Sequence, residues 1–204
     1  MKKIFISGIG TDIGKTVVSA ILTEALKADY WKPIQSGDIE NSDTLKVKEL
    51  VTNTCSVFHK EAYTFQNPLS PHAAAKLENC SIKLSKIKLP KTKNTLVIEG
   101  AGGVLVPLNK NKLIIDLISQ LDASVIVVSR NYLGSINHTL LTIQELRRRK
   151  IKIIGIIFNG DHTPESEEYI TKFTKIKTLL RIENETIIDK KTIEKYSKKI
   201  NFKF

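Results

Sequence analysis

Two cysteines in 204 residues leave little for a disulfide framework, and Cys55 and Cys80 show no metal-ligand spacing. Free thiols in a reducing compartment are the expectation. No apolar run approaches the roughly 20 residues a membrane span needs. The opening MKKIFISGIG turns to glycine and charge too early for a signal peptide, so it reads as a first strand and the chain as cytoplasmic. There is no internal repeat, low-complexity tract or convincing linker. Residues 1–204 are therefore expected to form one domain, long enough to bury a sizeable core. Acids are the minority sign: 21 Asp+Glu stand against 32 Lys+Arg, a net charge of +11. Such a surplus invites a nucleic-acid partner. However, the lysines are dispersed and no nucleic-acid module is present. In the densest basic stretch, Lys172 to Lys203, the acids Glu183, Glu185 and Glu194 are interleaved. A solvated lysine-rich surface, attractive to anionic small molecules, is the better reading.

What is there alternates strand and helix from end to end. That pattern indicates an α/β fold, a mostly parallel sheet with helices on both faces. Strands are expected at Lys3–Ser7, Tyr30–Ile34, Thr95–Glu99, Ser124–Ser129, Ile151–Phe158 and Thr178–Ile182. Helices are expected at Gly14–Lys27, Asp43–Val51, Ile114–Leu121, Asn137–Arg149, Pro164–Phe173 and Lys190–Lys199. A further helix starts at Ser70-Pro71, read as an N-cap with proline at the first helical position, and runs through Leu77. Leu140, Leu141 and Leu146 are expected to face inward. In open parallel sheets ligands bind beyond the carboxyl ends of the strands. The conspicuous polar residues fall there: a glycine loop after the first strand, Lys32 and Ser36 around the second, Glu99 at the third and Asn159 after Phe158.

The strongest motif is Gly8-Ile9-Gly10-Thr11-Asp12-Ile13-Gly14-Lys15-Thr16, which follows a strand and opens a helix. This is the context of a phosphate-binding loop, in which backbone N–H groups and the helix dipole surround phosphate oxygens. Lys15 can reach β- and γ-phosphates, and Thr16 offers a hydroxyl to Mg²⁺. The usual spacing puts glycine at position 9; here Ile9 sits there and Gly8 is one residue early. Glu99 ends an apolar run before Gly100-Ala101-Gly102-Gly103, as an acid that holds the metal, or as a solvated turn residue. Asp43 in Asn41-Ser42-Asp43 reads as another metal-side oxygen or as part of a helix cap.

These motifs resemble, in order, those of the dethiobiotin synthetase family, a P-loop NTPase-like three-layer sandwich. The resemblance rests on the Gly8 to Thr16 loop, Lys32-Pro33-Ile34-Gln35-Ser36-Gly37, Asn41-Ser42-Asp43 and Pro68-Leu69-Ser70-Pro71-His72. It continues through Glu99-Gly100-Ala101-Gly102-Gly103 and Leu133 to Thr142, covering about Ile4 to Gly160. It implies ATP-dependent ring closure of 7,8-diaminononanoate with CO₂ to dethiobiotin, ADP and phosphate, in biotin biosynthesis. The route runs through a carbamate and a carbamic-phosphoric mixed anhydride. It further implies that Lys15 and Lys32 are catalytic, and that Thr16, Asp43 and Glu99 hold Mg²⁺. ATP is implied to contact Asp12, Ile13, Gly14, Lys15, Thr16, Val17, Asp43, Glu99, Gly100, Ala101, Gly102, Asn159 and Gly160. Asn159 would read the adenine edge, although a turn or cap role before Gly160 fits its position equally. Thr11, Ser36, Gly134, Ser135 and Asn137 would bind the diamine, whose carboxylate tail lies across a homodimer interface. His72 stands in the matching Ser-Pro-His setting. Near the adenine pocket the family has Ile-Pro, whereas this chain reads Leu179-Leu180-Arg181-Ile182-Glu183-Asn184.

The main rival is a partitioning-type ATPase switch with a deviant phosphate loop. Such loops carry a second lysine five residues before the P-loop lysine, a position held here by Gly10. A cobyrinate synthase type would bring a glutaminase domain, for which this length has no room.

Overall fold

A computed structural model describes residues 1–201. The last three residues of the expected domain, Lys203 of the basic stretch among them, lie outside this range. The elements are β1 (Lys3–Gly8), α1 (Lys15–Leu26), β2 (Asp29–Trp31), β3 (Ile34–Ser36), α2 (Asp43–Leu50), β4 (Phe58–His59), β5 (Tyr63–Phe65) and α3 (Pro71–Leu77). They continue with β6 (Leu96–Gly103), α4 (Ile114–Leu121), β7 (Ser124–Arg130), α5 (Ser135–Arg148), β8 (Ile153–Asn159), α6 (Pro164–Thr174), β9 (Thr178–Ile182) and α7 (Lys190–Ser197). Seven strands form a parallel sheet in the order β4-β2-β6-β1-β7-β8-β9. Strands β3 and β5 form a separate parallel pair.

The period-two alternation of the central strands splits the core between the two faces. Ile4, Ile6, Tyr30, Val97, Ile126, Val128 and Ile157 pack with α1, α2 and α7 through Val18, Ile21, Leu22, Val47, Ile193 and Tyr196. Phe5, Trp31, Leu96, Ile98, Val125, Val127, Ile156 and Phe158 pack under α4, α5 and α6. Fully burying one such side chain contributes about 1.5–3 kcal/mol. Both faces are therefore strongly specified, and polar side chains are pushed to the strand ends.

Three expectations are corrected by the structure. Tyr30–Ile34 is not one strand: Pro33 carries no N–H and fixes its φ, so it cannot continue the ladder. The chain leaves the main sheet at Lys32 and resumes as β3, with the Pro33 carbonyl accepting from Ala62 and Tyr63 instead. Glu99 is not at a strand tip, because β6 continues through the glycines to Gly103 beside Gly8 of β1. A Cβ at Gly100 would stand 2.6 Å from the Phe5 ring, so a side chain there would drive the two strands apart. Leu141 points outward, since the buried stripe of α5 is Ser135, Thr139, Thr142, Ile143 and Leu146. Ser70 is the N-cap of α3 with Pro71 at the start of the helix, as expected; its hydroxyl makes no cap bond and lies 3.1 Å from His72 Nδ1.

Candidate functional site

The loop between β1 and α1 turns tightly enough to need its glycines. Gly14 has φ 93°, and a Cβ there would lie 2.3 Å from the Asn159 amide nitrogen. Asn159, at the end of β8, donates from Nδ2 to the Ile13 carbonyl at 2.9 Å. It braces the loop from outside. Lys15 folds back over the loop and donates to the Gly10 carbonyl at 3.0 Å. Burial lowers its pKa, and the nearby Lys32 adds to this, while Glu99 opposes it. An anion bound at the loop would favour the charged form again.

Beside Lys15 lies a compact charged cluster. Thr16 Oγ1 is 2.9 Å from Asp43 Oδ1 and 3.0 Å from Glu99 Oε1. The Lys32 ammonium donates to Asp43 Oδ2 and, at 3.4 Å, to Glu99 Oε1. Tyr30 donates from its hydroxyl to Glu99 Oε2 at 2.9 Å. Topology explains the convergence. In the parallel β2–β6 ladder Tyr30 lies opposite Val97, so two residues further on Lys32 and Glu99 share that face, the one covered by α1. Ser42 caps α2 by accepting from Leu45 N, which leaves the Asp43 carboxylate free to turn to Thr16. The capping reading of Asn41-Ser42-Asp43 thus holds at Ser42, and the Asp43 carboxylate next to it reaches Thr16.

Burial alone would lower the Lys32 pKa, but the Glu99 and Asp43 carboxylates outweigh it and the pKa is raised. Burial would raise that of Asp43, yet Lys32 holds it below the usual carboxylate range. The depressed Asp43 contributes stability above its unfolded value of about 3.9, lost as pH falls through the folded value. The raised Lys32 contributes below about 10.4, lost as pH rises through its folded value. The pair is therefore intact across neutral pH. Between pH 5 and 3 the thermal midpoint of the parent is expected to fall more steeply than that of Asp43→Asn. Equal slopes in scanning calorimetry would remove the ion-pair explanation.

These residues line a cavity of about 700 Å³. Thr11, Asp12, Gly14, Lys15, Thr16 and Val17 form one wall; Lys32, Ser36, Asp43, Glu99, Ala101 and Gly102 form the others. Ile13 is buried beneath the loop, and Gly100 is packed on Phe5. Asn159 and Gly160 stand behind the loop rather than in the cavity wall. Gly134, Ser135 and Asn137 are not in that wall either. They begin α5, whose His138, Leu141 and Thr142 line a second cavity of about 400 Å³ that meets the first at Thr11 and Val106. His72 is exposed and lines neither.

Several contributors escaped the sequence reading. Tyr30 is one, although its two-residue spacing from Lys32 on a strand was a signal. Lys46, one helical turn beyond Asp43, is another; it lines the main cavity and a further one of about 630 Å³ that also touches Thr16 and Val17. Where the family's Ile-Pro is missing, Arg181 does the fastening: its guanidinium donates to the Ile182 carbonyl at 3.0 Å and to the Gly160 carbonyl at 2.8 Å.

Three hard oxygen donors, Thr16 Oγ1 and the Asp43 and Glu99 carboxylates, converge beside a phosphate-loop lysine, a donor set suited to Mg²⁺. A parallel sheet with this loop between its central strand and first helix defines a P-loop nucleotide-binding protein, and residues 2–192 match the family described as an AAA domain. More narrowly, the chain belongs to the dethiobiotin synthetase family. It is 57% identical over 198 residues to the ATP-dependent dethiobiotin synthetase BioD of Christiangramia forsetii, covering 97% of this chain and 95% of that one. It is 54% identical to that of Cytophaga hutchinsonii (98% and 97% covered) and 46% identical to that of Chlamydia pneumoniae (97% and 88%). Among solved structures it is similar to a ParA family ATPase from Chlorobium tepidum TLS, with TM-score 0.58, 12% identity and 98% and 92% of the two chains covered. The cell division ATPase MinD of Pyrococcus furiosus gives 0.58 at 15% identity, with 98% of each covered. At these identities the likeness shows the fold alone.

Proposed function

We propose that this chain closes the ureido ring of dethiobiotin from 7,8-diaminononanoate, CO₂ and ATP, releasing ADP and phosphate. The observation that carries this reading is the convergence of Lys15, Thr16, Lys32, Asp43 and Glu99 on one cavity beside the phosphate loop. One amine of the diamine adds to CO₂ and loses a proton, giving a carbamate. A carbamate oxygen attacks the γ-phosphorus and ADP leaves. The second amine then attacks the carbamoyl carbon and phosphate leaves. Phosphoryl transfer demands positioning and charge neutralisation more than covalent help. Lys15 supplies a cation to the β- and γ-phosphates, and the loop's N–H groups hold their oxygens. Lys32, just after β2 and lining the cavity, stabilises the carbamate and the phosphoryl group in flight. Ser36 and Thr11 contact the diamine. Thr16, Asp43 and Glu99 would hold Mg²⁺, which would supply charge neutralisation at the triphosphate. Asn159 sets the adenine position through the loop it braces, with Gly160 next to it in the chain.

The enzyme acts as a homodimer in the cytoplasm. Supporting the dimer, Leu105 and Leu141 on the second cavity, and Leu133 immediately before Gly134, are exposed apolar side chains. Light scattering is expected to give twice the chain mass, and Leu133→Arg to give a monomer with little activity. A fully active monomer would refute the shared substrate site. The assignment as a whole is tested by ADP formation with Mg-ATP and bicarbonate, with and without the diamine, alongside mass detection of dethiobiotin. Diamine-dependent ADP with matching dethiobiotin is expected; ADP release indifferent to the diamine would overturn it.

A further inference from the structure

We propose that Tyr30 is a positioning residue for the metal site, fixing the Glu99 carboxylate so that Oε1 faces Thr16. This rests on the reading of Glu99 as a metal ligand and goes beyond it. Glu99 is 1% exposed, and Tyr30 is fully buried. Water therefore cannot set the carboxylate's orientation; its protein partners must. Glu99 Oε1 takes the Thr16 hydroxyl and the Lys32 ammonium, both of which also bond Asp43. Glu99 Oε2 takes the phenol at 2.9 Å. Thr16 and Lys32 are shared with Asp43 and lie where phosphate and substrate arrive, so their bonds to Glu99 are the ones that must rearrange during turnover. The Tyr30 bond is not shared and lies on the core side, where nothing arrives. A terminal carboxylate torsion is soft and broad. Without the phenol, Oε2 would be a buried, unpaired anionic oxygen, and the group would rotate to share Lys32 through both oxygens.

The phenol is suited to the task chemically. At 2.9 Å from a carboxylate oxygen that can only accept, the phenol O–H is the donor of this bond. Its ring is held by packing in the core under α1 and by a tilted contact with Phe58, centroids 6.2 Å apart. Partners of metal ligands in such second layers commonly change metal affinity 10- to 100-fold.

The test uses the full chain with Mn²⁺ as probe, its binding in the presence of ADP followed by electron paramagnetic resonance. Tyr30→Phe removes only the hydroxyl and is expected to weaken Mn²⁺ about tenfold. ADP binding without metal should stay within twofold of the parent. Placing 4-fluorophenylalanine at position 30 fills the hydroxyl's volume without a donor, and should weaken Mn²⁺ equally. Should Tyr30→Phe fold poorly, this second variant gives the answer alone. Parental Mn²⁺ affinity in the fluorinated variant would overturn the inference, since volume and not the bond would be at work. Glu99→Ala separates the two levels. Retained Mn²⁺ binding there overturns the metal reading and this inference together. Lost binding there, with parental affinity in both Tyr30 variants, overturns this inference alone.

Discussion

Lys15→Ala is expected to lower diamine-dependent ADP formation by about 10²–10³-fold, the scale of losing one preorganised electrostatic donor in a water-poor site. The motive is its placement. Lys15 is 8% exposed, and its ammonium lies against the Gly10 carbonyl inside the phosphate loop, with no carboxylate bonded to it. Burial lowers its pKa, so at neutral pH its charge is a mild burden on the folded state rather than a support. Two readouts should therefore separate: turnover collapses while the thermal midpoint holds or rises. An alanine variant with parental turnover would remove Lys15 from the reaction. A folded variant with a much lower midpoint would assign it a structural role instead.

Lys32→Ala is expected to abolish turnover and also to destabilise the protein. Lys32 bonds both Asp43 and Glu99, and its removal leaves a buried and a part-buried carboxylate facing each other beside Thr16. Breaking a buried pair by deleting one partner costs about 3–5 kcal/mol. Asp43 keeps some solvent contact, with a side chain 21% exposed, so about 3 kcal/mol is the reasonable figure. For a chain of this size that is a fall in thermal midpoint of about 6–12 °C. Because Mg²⁺ can take over the neutralisation, it should raise the midpoint of the variant more than that of the parent. Calorimetry with and without Mg²⁺ checks this. A midpoint unchanged by Lys32→Ala would show that the ion pairs carry no net stability, and parental turnover would remove Lys32 from the chemistry.

The opposite signs expected for the two lysines follow from their neighbours, not from their burial, which is similar. Lys15 has a backbone carbonyl; Lys32 has two carboxylates. Nothing in the local sequence of either states that difference. Lys15 is marked by Gly14 and Thr16, and Lys32 by Pro33 and the Ser36-Gly37 that follow.

The sequence by itself determined the α/β class, because short apolar, β-branched runs alternate with helix-period segments from end to end. It determined the phosphate loop too, since glycines, Lys15 and Thr16 are contiguous and the chemistry is local. Strand ends, an acidic motif and the family resemblance together pointed to Lys32, Asp43 and Glu99, which are scattered along 68 positions of chain; Lys32 and Glu99 meet because β2 lies beside β6, and Asp43 joins them from the start of α2. Only the tertiary structure decided the rest. Pro33 breaks what looked like one strand, and this is visible in sequence as a single residue but not as a change of sheet. Tyr30 reads as an ordinary core aromatic until the register puts its hydroxyl on Glu99. Asn159 reads as a residue before a turn glycine until the fold sets its amide on the Ile13 carbonyl. Periodicity and propensity act within a few residues of chain, whereas these partners lie 69 and 146 positions apart and are chosen by strand order and packing.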